Sequence, residues 1–134
     1  MDELKLHRGK GPIYVQIVNL VLRDLARGAL LPGDQLPSAR ELALRLNVNP
    51  NTVIHAYSEL ERRGITYTKR GLGTYVRPEV PIRKLGEAIL RQAAEDFWGE
   101  VQALGLTLAE AVRALEEVAH DCVPEERDQT LREG

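Results

Sequence analysis

The sequence predicts a mainly α protein with one small β-hairpin: an N-terminal winged helix-turn-helix over residues 1–77, then a two-helix hairpin over residues 78–134. Three observations carry this reading. The stretch LPSARELALRLNVNPNTVIHAYSELE, residues 36–61, holds two short capped helices joined by a tight turn. Two extended segments follow around a basic tip that contains glycine. Beyond Pro78 and Pro81, two long apolar stripes at helical spacing complete the chain.

Taken in order, residues 1–11 are polar and form an arm in which Lys5, Arg8 and Lys10 carry positive charge. From Pro12 to about Arg27 the pattern is helical, with Ile13, Ile17, Leu20, Val21 and Leu25 on one stripe and Gly28 at the C′ position. Leu30, Leu31, Pro32-Gly33-Asp34 and Leu36 read as a connecting turn whose leucines cap the core. Ser38 and Glu41 have capping-box spacing and open a second helix, which buries Leu42, Ala43 and Leu46 and stops at Asn47-Val48. Asn49 is a natural N-cap, and Pro50 suits the first helical position, where its missing N–H costs nothing. In this third helix Val53, Ala56, Tyr57 and Leu60 recur at i, i+3, i+4 and i+7, so one face is buried. Asn51, Thr52, His55 and Ser58 then look outward, with Ile54 at the boundary. Arg62 and Arg63 place cations at the negative end of the helix dipole before Gly64. Ile65, Tyr67, Tyr75 and Val76 mark the strands around Lys69-Arg70-Gly71-Leu72-Gly73.

The second part has a long helix from Ile82 to about Leu104, with Leu85, Ile89, Ala93, Phe97, Val101 and Leu104 on its stripe. Gly105 ends it, and Thr107 with Glu110 forms a second capping box. Leu108, Ala111, Val112, Leu115 and Val118 follow at helical spacing, and the tail from Pro124 is polar. Two helices cannot cover both stripes together with Phe97 and Trp98 by packing only on each other. The surplus calls for a partner, and a twofold homodimer is the commonest solution. The expected interface is Leu85, Ile89, Ala93, Phe97, Trp98, Val101, Leu108, Val112 and Leu115; a fold-back onto the front domain is the other way to cover it.

Charge divides the chain in the same place. The whole carries a net −2, but residues 1–77 hold 12 Lys and Arg against 7 Asp and Glu, whereas residues 78–134 hold 6 against 13. A basic front half has the electrostatic footprint of a phosphate-binding surface. A polar helix N-terminus behind a supporting helix suits a DNA major groove. A basic glycine-bearing wing tip can follow phosphates or enter a minor groove. No apolar run is long enough to span a membrane, no signal peptide is apparent, and the single cysteine, Cys122, excludes a disulfide framework. A reducing cytoplasm is the natural setting.

Taken together, Pro12-Ile13-Tyr14-Val15-Gln16-Ile17, the Leu36-Pro37-Ser38-Ala39-Arg40-Glu41-Leu42-Ala43 run, Asn49-Pro50-Asn51-Thr52-Val53 with Ala56-Tyr57-Ser58-Glu59-Leu60, and Arg70-Gly71-Leu72-Gly73-Thr74-Tyr75-Val76 resemble the GntR family of bacterial transcription regulators. The short helical tail further resembles its YtrA-like subfamily, whose small C-terminal part dimerises the protein. Only 57 residues follow Arg77, too few for the effector or aminotransferase-like domains of larger branches. The resemblance implies a homodimeric repressor on double-stranded DNA with an inverted-repeat operator, often at transporter genes, and no cofactor. It implies that Ser38 and Arg40 meet phosphate and, through the arginine, a base. Asn49, Asn51 and Thr52 stand at the recognition-helix N-terminus, and Lys69, Arg70, Gly71 and Gly73 form the wing tip. His55 occupies a position where this branch often has a basic residue. Ile54 is open to two readings, contact with a thymine methyl or simple packing.

Other classes find less support. An enzyme would need Cys122 as nucleophile and His7, His55 or His120 as base, yet a spacing of two on a helix points His120 and Cys122 to different faces. Three dispersed histidines lack metal-ligand spacing. A small effector would fit best near Phe97 and Trp98, which serve equally as plain interface core. A winged helix that binds protein without sequence-specific DNA contact stays open as the alternative.

Overall fold

The computed structural model describes residues 11–122. The basic residues of the N-terminal arm, His7 and the polar tail from Pro124 lie outside the described residues. Seven elements follow in order: α1 (Ile13–Ala26), α2 (Ala39–Leu46), α3 (Pro50–Arg62), β1 (Thr66–Lys69), β2 (Gly73–Val76), α4 (Ile82–Ala103) and α5 (Leu108–Cys122). The chain divides into two compact units between Ile89 and Leu90.

In the first unit, α1, α2 and α3 enclose a core of fully buried Ile17, Val21, Leu25, Leu42, Val53 and Leu60. The caps behave as their residue types dictate. Ser38 Oγ accepts the Glu41 N–H at 3.1 Å, and Asn49 Oδ1 accepts the Asn51 N–H at 2.8 Å. Asn47 closes α2 in the left-handed conformation, which asparagine tolerates better than most residues. Leu31 departs from expectation: it is exposed, and only Leu30 and Leu36 of that connection reach the core.

The hairpin pairs antiparallel in the register Thr66↔Val76, Tyr67↔Tyr75, Thr68↔Thr74 and Lys69↔Gly73. The segment before α2 is more than a turn. Val76 N–H donates to the Asp34 carbonyl at 2.8 Å, Gly33 N–H to Val76 O at 3.0 Å, and Leu36 N–H to Thr74 O at 2.8 Å. This strip covers the free edge of β2, so the wing is held to the approach to α2 by backbone bonds.

The boundary between units falls inside α4, beyond the Pro78–Pro81 linker. Val80 is buried, and Ile82, Leu85 and Ile89 pack against the first unit's core. Leu85 and Ile89, expected at a dimer contact, are half-buried against that core. In the second unit α4 stops at Gly105, whose φ of 72° suits glycine, with the Leu106 N–H closing on Val101 O at 3.0 Å. The following box is reciprocal: Glu110 N–H donates to Thr107 Oγ1 at 3.2 Å, and Thr107 N–H to Glu110 Oε1 at 3.3 Å. Among the described residues no helix is long and apolar enough to cross a membrane.

Candidate nucleic-acid interface

Three pieces of backbone converge on one groove: the start of α2, the outward face of α3 and the wing. Its walls include Gln35, Ser38 and Ala39 on one side, Ile54, Ser58 and Glu61 on α3, and Thr68, Leu72, Gly73 and Thr74 on the wing. Sequence spacing alone placed the first two pieces; the third is set by tertiary bonds.

The start of α2 is fixed from α3. Tyr57 Oη donates to the Pro37 carbonyl at 2.7 Å, immediately before the Ser38 cap. Burial, reinforced by the negative charge of Glu41, pushes the Tyr57 phenol well above its usual range, so it stays a donor at any ordinary pH. Arg40 is exposed on the first turn of α2 and makes no ion pair with a described residue. Glu41 instead meets Arg45, with Nη2 2.9 Å from Oε2.

On α3, Asn51 is exposed and Thr52 half-buried at the helix N-terminus, as the spacing predicts. The Asn49 side-chain oxygen is occupied as the cap, which makes it a part of the scaffold that aims Asn51. His55 is exposed but not free: its ring stacks on Tyr14 of α1, with centroids 3.8 Å apart. Ile54 lies beyond the boundary position expected for it, at 51% exposure on the groove wall.

The wing tip, Arg70-Gly71-Leu72, is exposed, and Leu72 N–H closes the turn on Lys69 O at 2.9 Å. Strand alternation puts Thr68 and Thr74 on the groove side and Tyr67, Lys69 and Tyr75 on the other. Lys69 Nζ lies 4.6 Å from the Tyr75 ring centroid, a cation–π arrangement on the outer face. Arg70 is thus the wing cation placed at the tip itself, with Lys69 held back along the hairpin.

Two groove residues escaped the sequence reading. Gln35 Nε2 donates to the Leu72 carbonyl at 2.8 Å, tying the approach to α2 to the wing tip. Glu61 Oε1 accepts the Thr68 N–H at 3.1 Å, tying α3 to β1. The outward spacing Ile54, Ser58, Glu61 could have revealed the second; nothing local marks the first. At the end of α3 Arg62 and Arg63 both engage Glu59, and these hydrogen bonds, Arg62 first, hold its carboxyl down at about 2.

In the second unit Ala93, Phe97, Trp98, Leu108, Val112 and Leu115 line one apolar groove together with Leu90, Ala94 and Ala111. Val101, expected at an interface, is already buried within its unit. Leu90, Leu108, Leu115 and Val118 are all more than half exposed.

Residues 13–76, from α1 through β2, match the model of the bacterial regulatory proteins of the gntR family. The chain is 43% identical over 105 residues to the HTH-type transcriptional regulator YhcF of Bacillus subtilis, covering 78% of this chain and 87% of that protein. The chain belongs to the GntR family. The HTH-type transcriptional repressor YtrA of Bacillus subtilis is 52% identical over 69 residues, covering 52% of this chain and 53% of YtrA. A solved GntR family transcriptional regulator from Listeria monocytogenes superposes with a TM-score of 0.76 at 37% identity, covering 83% of this chain and 98% of that one. A 105-residue match is longer than the first unit, so the likeness to YhcF extends into the second. GntR proteins are transcription regulators and not enzymes, which leaves the histidines and Cys122 without a catalytic part. Among the described residues no group of three or more His, Cys, Asp or Glu is placed to hold a metal ion.

Proposed function

We propose that this GntR regulator is a sequence-specific repressor that binds an inverted-repeat operator as a homodimer, one winged helix to each half-site. The observation that carries the reading is the convergence of Ser38, the outward face of α3 and the wing tip on one groove, with Arg40 and Arg70 exposed beside it. A helix N-terminus offers unpaired N–H groups to a phosphate, and the Asn51-Thr52 start of α3 does so beside an amide and a hydroxyl. Arg40 has the planar fork that meets guanine O6 and N7 together. Arg70 supplies salt-dependent affinity to the backbone.

The unspent apolar groove of the second unit supports the dimer. Leu90, Trp98, Leu108 and Leu115 leave more hydrocarbon in water than scattered surface residues do, and a twofold contact buries it on both copies at once. An inverted repeat follows from that symmetry. Resemblance to YtrA-like regulators makes transporter genes the first place to look for the operator.

Enrichment of genomic fragments on the purified protein at about physiological salt tests the reading. One recurrent inverted repeat is the expected product. Arg40→Ala should weaken binding and relax preference at one position per half-site, with a loss on the order of 1–3 kcal/mol. Unchanged affinity and selectivity in that variant would favour a winged helix that serves as a protein-interaction module.

A further inference from the structure

We infer that Ile54 reads the C5-methyl group of a thymine in each half-site. The inference rests on the DNA-binding reading above and adds the base that one side chain selects. Ile54 lies one helical turn beyond Asn51 on α3, half exposed on the wall of the groove, with Ser38 and Ser58 also lining it. None of the core packing of α3 uses it: Val53, Ala56, Tyr57 and Leu60 fill that role and are buried. An isoleucine facing water on an otherwise polar helix face has hydrocarbon available for a ligand. In a major groove the base edges offer donors and acceptors, and thymine alone adds a methyl group.

Two features hold Ile54 ready for such a contact. A β-branched side chain in a helix is confined to essentially one χ1 rotamer, so little freedom is lost on binding. The buried face of α3 sets its rotation about its axis, and the stack of the adjacent His55 on Tyr14, at 3.8 Å, adds a second contact to α1. The carbonyl of Leu72, across the groove, is tied to Gln35, so the opposite wall is fixed as well.

Replacing thymine by deoxyuridine removes the methyl and keeps every hydrogen-bonding group, so the test needs no change in base pairing. Each thymine of the enriched operator half-site is replaced in turn, and affinities are measured for the native protein and for Ile54→Ala. Burying one methyl is worth roughly a four-fold change in affinity per half-site. The expected result is one position where deoxyuridine weakens the native protein about four-fold and leaves Ile54→Ala unaffected. Specific operator binding with no sensitive thymine, or a penalty that persists undiminished in Ile54→Ala, overturns the assignment while leaving the repressor reading intact. Absence of any enriched operator overturns both. Because Ile54 is outside the core, the variant should keep the native melting temperature, and a matching melt confirms that affinity alone has changed.

Discussion

The imidazole of His55, on the outward face of α3, lies flat against the phenol ring of Tyr14 at the start of α1, with centroids 3.8 Å apart and planes 17° apart. Tyr14 is partly buried against the core and His55 is exposed, so the pair extends the contact between α1 and α3 from the core to the surface. A position that resemblance marked for DNA is thereby engaged in holding α3 in place. We expect His55 to act on operator affinity largely through the orientation of α3.

A double-mutant cycle should show this. Tyr14→Ala and His55→Ala are each expected to cost about 1 kcal/mol of stability, and the pair together less than the sum, since an aromatic contact is worth roughly 0.5–1.5 kcal/mol. His55→Phe should keep both the stack and most of the operator affinity. A strictly additive cycle in chemical denaturation would show that the rings do not support one another.

The wing offers a second test. Gly73 has φ of +127°, and a Cβ there would meet Gln35 Nε2 at 2.6 Å. Gly73→Ala should therefore cost about 1–3 kcal/mol, part of it backbone strain and part of it collision. Gln35→Ala should cost about 1 kcal/mol through the lost bond to Leu72 O. Combining them removes the collision but not the strain, so the double variant should be more stable than the sum of the two losses. Urea denaturation of the three variants measures this, and operator affinity should fall in each as the wing loses its position.

These two relationships show where the sequence was legible and where it was not. Caps, the buried face of α3, the hairpin and the helix break at Gly105 all depend on residues near one another in the chain, and all are readable from spacing. Gln35 and Leu72 are brought together by the fold across 37 positions, and no local pattern announces that. The same holds for Leu85 and Ile89: periodicity identified an apolar stripe on α4 but could not say which partner it faces. Ile54 was misplaced by a smaller margin, because a residue flanking a stripe can turn either way and spacing alone does not decide which.

Acid titration tests the cluster that ends α3. Hydrogen bonds from Arg62 and then Arg63 lower the Glu59 carboxyl from 4.5 to about 2. Because folding lowers this value, the stabilisation is present in full above pH 4.5 and is lost as pH falls towards about 2. Glu59→Gln should be less stable than the native protein near neutrality, and the difference should shrink across that acidic window. A difference independent of pH in urea melts would show that the carboxylate charge is not what the arginines hold.

The last expectation separates the apolar groove of the second unit, to which α5 contributes Leu115, from the first turns of α4. Leu115 lies in the apolar groove of the second unit at 53% exposure, whereas Leu85 packs on the core of the first. If the groove is the dimer contact, Leu115→Glu places a charge against hydrocarbon on both copies, since a twofold interface repeats every substitution. Sedimentation at micromolar concentration should then find a monomer with a winged helix that melts independently of protein concentration. Operator affinity should drop by at least ten-fold, because the second half-site no longer comes tethered to the first. Leu85→Ala should behave in the opposite sense, lowering the melting temperature of the winged helix by removing packing from its core while leaving the dimer assembled. A Leu115→Glu protein that still sediments as a dimer would move the interface away from this groove. A Leu85→Ala protein that dissociates without loss of fold would return α4's first turns to the interface.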